Sequence, residues 1–186
     1  MKENKTNELF SLRSMVFTAL FAALICIAAP FSVQLPGLVP ITLATFAIYL
    51  TGALLGSKRG TLAVLVYILI GAVGLPVFSN FTGGLAKLLG PSGGYIIGYI
   101  PLVFLSGLFY DKRKWLIPVG MVLGTAALYT FGTAWYMIYT KSDIVTALTA
   151  CVVPFLFGDS IKIILTTVIA VPLGSRLSAF LGKPGE

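Results

Sequence analysis

A chain of 186 residues that is 58% hydrophobic and only 10% charged, with 20 Gly and 10 Pro and a mean hydropathy of +0.98, departs from soluble domains, in which roughly a quarter of residues are charged. This composition excludes disorder, coiled coil, collagen and nearly all soluble enzymes, and it implies a single all-α integral membrane domain over residues 1–186. The net charge of +7 comes from basic residues in short gaps between apolar runs; with no stacking aromatics interleaved, no nucleic-acid partner is expected.

A helix needs about 20 apolar residues to cross ~30 Å of hydrocarbon, and fewer where the bilayer thins. Six segments qualify in chain order. The first covers about 13–29, stops before Pro30, and is too long and too well followed by others to be a cleavable signal. The second covers about 41–55, after the charge-free stretch PFSVQLPGLVP (30–40) with its three prolines. The third, about 61–75, ends at Pro76. A connection of 19 residues, PVFSNFTGGLAKLLGPSGG (76–94), then carries five glycines and two prolines yet stays apolar. Three further spans follow, at about 95–110, 116–139 and 144–173.

Orientation follows from Lys and Arg, which concentrate on the cytoplasmic side. With the N-terminus inside, the cytoplasmic side collects Lys2, Lys5, Arg13, Lys58, Arg59, Lys112, Arg113, Lys114, Arg176 and Lys183, ten of the thirteen. Outside stand Lys87 and Lys141, while Lys162 lies within the sixth span. This bias requires an even number of spans with both termini cytoplasmic. The connections at 30–40 and 76–94 are then external. Apolar, Gly-rich connections of this kind fold back onto protein, and both are expected to act as lids over an outward-facing ligand pocket.

Chemistry-bearing residues are few. His is absent, and Cys26 and Cys151 lie in apolar runs, so no four-ligand zinc site of N and S donors can be built; no metal or cofactor is expected, and the cysteines read as small hydrophobes. Gly84 to Gly90 lacks phosphate-loop spacing, with Lys87 inside it rather than after it, and neither a G-x-S-x-G elbow nor a Ser-His-Asp relay exists. Only Asp159, among the six acidic residues, falls within a span, and Lys162 follows it at i+3, where the two side chains share a helix face. An ionisable group at the bilayer centre costs roughly 2.5–3.5 kcal/mol even on insertion scales. The pair is open to three readings: a ligand-binding site under the external lids, a structural ion pair orienting the sixth helix, or a proton relay. Ala19 and Ala23, four apart in the first span, permit close helix approach, within this bundle or against another membrane subunit. Tyr110 and Trp115 have the placement of interfacial belt residues. Trp135, Tyr136 and Tyr139 end the fifth span beside the expected pocket, as belt residues or as a stacking wall.

Three stretches carry a family resemblance: GAVGLPVFSNFTGGLAKLLGPSGGY (71–95), VPITL (39–43) and PFLFGDSIK (154–162) with its D-x-x-K pattern. They resemble the BioY family, the biotin-binding S components of energy-coupling factor (ECF) transporters, and the similarity runs through nearly the whole chain. The resemblance implies a six-helix S component, an external vitamin pocket, and as partners a membrane T component and two cytoplasmic ATPases. It also implies that Ala19 and Ala23 dock the T component. In such a pocket Asp159 accepts from a ureido N–H and Lys162 donates to the ureido carbonyl. Asn80 and Tyr95 are the next polar groups, Thr42 a further one, and Trp135 stacks on the apolar ring. Two positions depart from the usual pattern: Ala44, where Gln is frequent, and Ser92, where Thr is frequent. Other readings predict an S component for another vitamin, a stand-alone proton-coupled carrier using Asp159 and Lys162, or a small membrane enzyme using Lys162.

Overall fold

The computed structural model describes residues 11–34, 39–112 and 114–181. Its helices are α1 (Leu12–Ala28), α2 (Ala44–Ala72), the short α3 (Leu85–Leu89), α4 (Gly93–Lys112), α5 (Ile117–Thr140), α6 (Ile144–Cys151) and α7 (Val153–Leu181). Two short strands, β1 (Ser32–Val33) and β2 (Ile41–Thr42), pair antiparallel, Ser32 opposite Thr42 and Val33 opposite Ile41. They bring the two ends of the 30–40 connection together, a feature absent from the sequence expectation.

Ser11 caps α1 by accepting from the backbone N–H of Ser14 at 3.3 Å, and Asp143 caps α6 by accepting from the N–H groups of Val145 and Thr146. The hydrogen bonds from Thr146 hold the Asp143 carboxyl below the usual carboxylate range. Hydroxyls inside the apolar helices bond back to the carbonyl four residues earlier, as Thr51 does to Ala47, Ser106 to Leu102 and Thr125 to Met121. Such local bonds let hydroxyls sit in a medium that offers no water.

Four stretches are long and apolar enough to cross a membrane: Ala44–Ala72, Gly93–Tyr110, Ile117–Thr140 and Ile144–Gly174. The apolar α1, 17 residues long, would measure about 26 Å at 1.5 Å per residue. The second and third expected spans form one element, α2, but not one straight rod. Gly56 adopts φ 78°, ψ −176°, and a Cβ placed on Gly60 would lie 3.5 Å from the Cα of Gly52. A straight helix would separate those two residues by ~12 Å, so the chain doubles back at Gly56. The reversal seats on α4, where a Cβ on Gly107 would lie 2.3 Å from the Ser57 nitrogen; only glycine leaves room.

The sixth expected span is interrupted between Cys151 and Val153, giving α6 and α7. Pro154 accounts for a break there, since it has no N–H to give a preceding carbonyl. At the same break the Phe155 N–H turns to the Val152 carbonyl, which leaves the Cys151 carbonyl to accept from Tyr95 Oη, and the Tyr95 ring stacks on Phe155, with centroids 6.0 Å apart. Tyr110 differs from its expected belt position: it is buried and donates to the Gly174 carbonyl. Trp115 is 69% exposed, as a belt residue would be.

The core lies between α2, α4 and α5, with Tyr49, Ile48, Leu102, Met121 and Leu128 fully buried. The outward faces are apolar too: Leu20 and Ile27 on α1, and Phe157, Ile164 and Val168 on α7, are exposed. A surface of this kind suits lipid rather than water. Cys26 and Cys151 are both free thiols, the second buried.

Candidate functional site: a polar cluster in an apolar cavity

Beneath the 30–40 and 76–94 connections lies a narrow cavity with about 30 Å³ of free space. Its walls come from five parts of the chain. Val39, Pro40, Phe78, Ser79 and Ser92 belong to the 30–40 and 76–94 connections; Ala44, Thr45 and Tyr67 to α2; Tyr95, Ile96 and Tyr99 to α4; Leu128 and Tyr129 to α5; Phe155, Asp159 and Lys162 to α7. The aromatic rings and aliphatic groups make most of this lining, and the charged groups meet at one end.

That end is held by a closed set of hydrogen bonds. Lys162 Nζ is 3.0 Å from Asp159 Oδ1, and their side chains are 12% and 4% exposed. The ammonium also donates to the Thr42 carbonyl at 2.9 Å and to Thr45 Oγ1 at 2.8 Å. Thr45 Oγ1 donates in turn to Asp159 Oδ1 at 3.2 Å, and Tyr129 Oη donates to Asp159 Oδ2 at 2.8 Å. A lysine ammonium has three donors, and here each has an acceptor. Burial of an ion pair costs several kcal/mol per ion unless further hydrogen bonds surround it; the Thr45, Thr42 and Tyr129 groups supply them.

Asp159, Lys162, Thr42 and Tyr95, four of the residues singled out in the sequence, all line this cavity. Asn80 and Trp135 stand elsewhere. Asn80 is exposed, with φ 60°, and lines an outer groove together with Phe31, Val33, Leu43 and Phe81. Its side chain accepts from Ser32 Oγ at 2.8 Å and donates to Gln34 Oε1 at 2.9 Å, while its backbone N–H donates to Ser32 Oγ at 2.9 Å and the Pro30 carbonyl at 3.0 Å. Asn80 therefore fastens the 76–94 connection to the 30–40 connection. Trp135 lies against Gly93 and Gly94, which present no side chain to it, and its Nε1 donates to the Gly90 carbonyl at 2.9 Å. It braces the end of the Gly-rich connection instead of facing the cavity. Ala19 and Ala23 are both on the exposed side of α1.

Sequence reasoning missed Thr45 and Tyr129. A signal for Tyr129 exists: Thr125, Tyr129, Thr133 and Tyr136 recur at i, i+4, i+8 and i+11 on α5, and all four are buried. A hydroxyl stripe on an otherwise apolar span marks the face turned inward. Among the described residues no group of three His, Cys, Asp or Glu could hold a metal ion.

Comparison with known proteins gives a consistent result. A family model described as the BioY family matches residues 1–179. The biotin transporter BioY of Thermotoga maritima is 41% identical over 165 residues, covering 87% of this chain and 96% of its own length. The biotin transporter BioY2 of Lactococcus lactis is 35% identical over 171 residues, covering 90% and 93% respectively. Among solved structures, the S component for biotin from an ECF-type ABC transporter superposes with a TM-score of 0.75 at 32% identity, covering 93% of this chain and 94% of that one.

Proposed function

The chain belongs to the BioY family, and we propose that it is the biotin-binding, substrate-specific subunit of an ATP-driven ECF-type importer, with no catalysis of its own. The observation that carries this reading is the pairing of an apolar, aromatic-lined cavity with one buried carboxylate whose partners are already fixed. Biotin presents a flat ureido ring with two N–H donors and a carbonyl, fused to an apolar thioether ring, with an anionic valerate tail. Asp159 accepts from a ureido N–H, a charge-assisted bond about twice as strong as a neutral one. Tyr67, Phe78, Tyr95 and Phe155 supply the apolar walls for the ring system. Tyr99 and Ser92, on the same cavity, offer hydroxyls to the remaining polar groups.

Six crossings with both termini cytoplasmic follow from the charge bias and from counting the halves of α2 separately. In that orientation the cavity opens outward, with the external connections as its lids. The energy for import then comes from partner subunits: a membrane T component and two cytoplasmic ATPases, in the plasma membrane.

Isothermal titration of the detergent-purified protein tests the reading. Biotin is expected to bind tightly and one to one. Lipoate shares the pentanoate tail and a sulfur ring but has no ureido group, and it should bind ~10⁴-fold more weakly, because a site built to hydrogen-bond its ligand rejects analogues lacking the groups. Absence of biotin binding by a folded sample overturns the assignment. In proteoliposomes with the partner subunits, uptake should require ATP and survive collapse of the proton gradient; the reverse result favours a proton-coupled carrier.

A further inference from the structure

We infer that Tyr129 is a positioning residue for ligand selection: by occupying one side of Asp159 Oδ2, it leaves the carboxylate a single directed acceptor site for one ligand N–H. The inference rests on the proposed reading of the cavity as a biotin site. An ionised carboxylate offers about four lone-pair positions. Thr45 and Lys162 fill both at Oδ1, and Tyr129 fills one at Oδ2. Among the described residues no other group donates to Oδ2, so one position there stays open, on a residue that lines the cavity.

The three donors come from different parts of the bundle. Thr45 is on α2, Tyr129 on α5, and Lys162 on α7 with Asp159 itself. Rotation of the carboxylate is therefore opposed from both oxygens. Loss of the Tyr129 hydroxyl would leave two open positions on Oδ2 while Thr45 and Lys162 still hold Oδ1, so a ligand N–H could approach from either and the acceptor direction would no longer be specified. The two ureido N–H groups of biotin point away from each other across the carbonyl, and one carboxylate oxygen takes one of them. The native site should then distinguish sharply between biotin methylated at one ureido nitrogen and biotin methylated at the other.

The experiment compares wild type and Tyr129→Phe for binding of biotin and of both N-methyl isomers by titration calorimetry in detergent. Wild type is expected to bind the two isomers with affinities at least ~30-fold apart. In Tyr129→Phe biotin should weaken by about 10- to 30-fold, the poorer isomer by less than about 3-fold, and the ratio between isomers should collapse. Equal weakening of all three ligands would reduce Tyr129 to a structural role and overturn the inference, as would unchanged biotin affinity. Should the variant fail to give a monodisperse sample, infrared difference spectra of wild type labelled with ¹³C-aspartate give a second readout. Biotin should shift one buried carboxylate band, and the poorer isomer should not; no shift with biotin overturns the inference. Wild type that binds no biotin defeats the functional reading instead, whereas wild type that binds biotin without discriminating the isomers defeats this inference alone.

Discussion

Thr45 Oγ1 lies 2.8 Å from Lys162 Nζ, a residue 117 positions later in the chain, and passes its own hydrogen to Asp159 Oδ1 at 3.2 Å. One hydroxyl thus accepts from the ammonium and donates to the carboxylate. This makes the ion pair more than a contact within α7: it is keyed to the start of α2, just after β2. The Thr42 carbonyl, on β2 itself, takes a further hydrogen from the same ammonium. The charged pair is therefore tied to β2 as well as to α2.

Asp159→Asn should keep the fold and weaken biotin binding by at least ~100-fold. The amide is neutral, cannot pair with Lys162, and turns an acceptor into a donor at one of its two positions; leaving the buried ammonium short of its partner adds ~3–5 kcal/mol of penalty. Calorimetry with a monodispersity check by size exclusion reads this directly. Unchanged affinity would remove Asp159 from the binding site.

Thr45→Val keeps the shape of the side chain and removes the hydroxyl link. Lys162 retains the Thr42 carbonyl and Asp159, so the fold should persist, with biotin affinity lowered by ~5- to 30-fold, corresponding to about 1–2 kcal/mol for one charge-assisted hydrogen bond. Combined with Asp159→Asn, the two effects should fall well short of additive, since both act on one network. Full additivity would mean that Thr45 contributes only packing.

Much of this architecture is legible in the residues. Apolar runs of sufficient length, broken by GSKRG, by Pro76 and by DKRKW, mark the helices because hydrocarbon admits little else. Asp159 and Lys162 stand out because charge is so costly in that medium. Thr45 and Tyr129 do not stand out in the same way, since hydroxyl residues are ordinary in spans and only the packing of α2, α5 and α7 decides which of them meet. Trp135 misled for the opposite reason. An indole near the external end of a span suggests a stacking wall, but Gly93 and Gly94 give it a flat seat on α4, turned away from the cavity. The reversal at Gly56 and the break before Val153 shift element boundaries without moving the site residues off their helices.

Asn80 fastens the 30–40 and 76–94 connections together through Ser32, Gln34 and Pro30, so its loss should act on kinetics more than on folding. Asn80→Gly removes the side-chain links while suiting the positive φ. Biotin dissociation should accelerate by about 10-fold, in line with one to two lost hydrogen bonds, as measured by stopped-flow chase with labelled biotin. A dissociation rate equal to wild type would show that this fastening does not limit release.

Two glycines should respond oppositely to alanine. At Gly107 the added Cβ would meet the backbone at Ser57 and Gly56 at 2.3 and 2.4 Å, where nothing flexible can give way. Gly107→Ala should destabilise by about 1–3 kcal/mol or more, the usual cost of overpacking. At Gly158, on α7, a Cβ meets nothing within 4 Å, and alanine should be neutral or stabilise by up to ~1 kcal/mol through its helix propensity. Thermal unfolding in detergent separates the two, and equal melting temperatures would contradict the reversal's close seat on α4.

Ala19 and Ala23 offer a test of the proposed docking of a membrane partner that leaves the cavity undisturbed. Both are exposed on α1, beside Met15, Leu20 and Ile27, which are also exposed. In lipid, apolar side chains give no hydrophobic incentive for helices to associate, so close backbone approach over small residues supplies the packing. Replacing both alanines by Trp should leave biotin affinity within about 2-fold of wild type, since surface changes remote from a site usually cost under ~0.5 kcal/mol. The same replacement should abolish co-purification with the T component and ATPases, because the bulky rings hold the helices apart. Retained assembly would mean that this face of α1 meets only lipid, and the docking surface would then have to be sought on another helix.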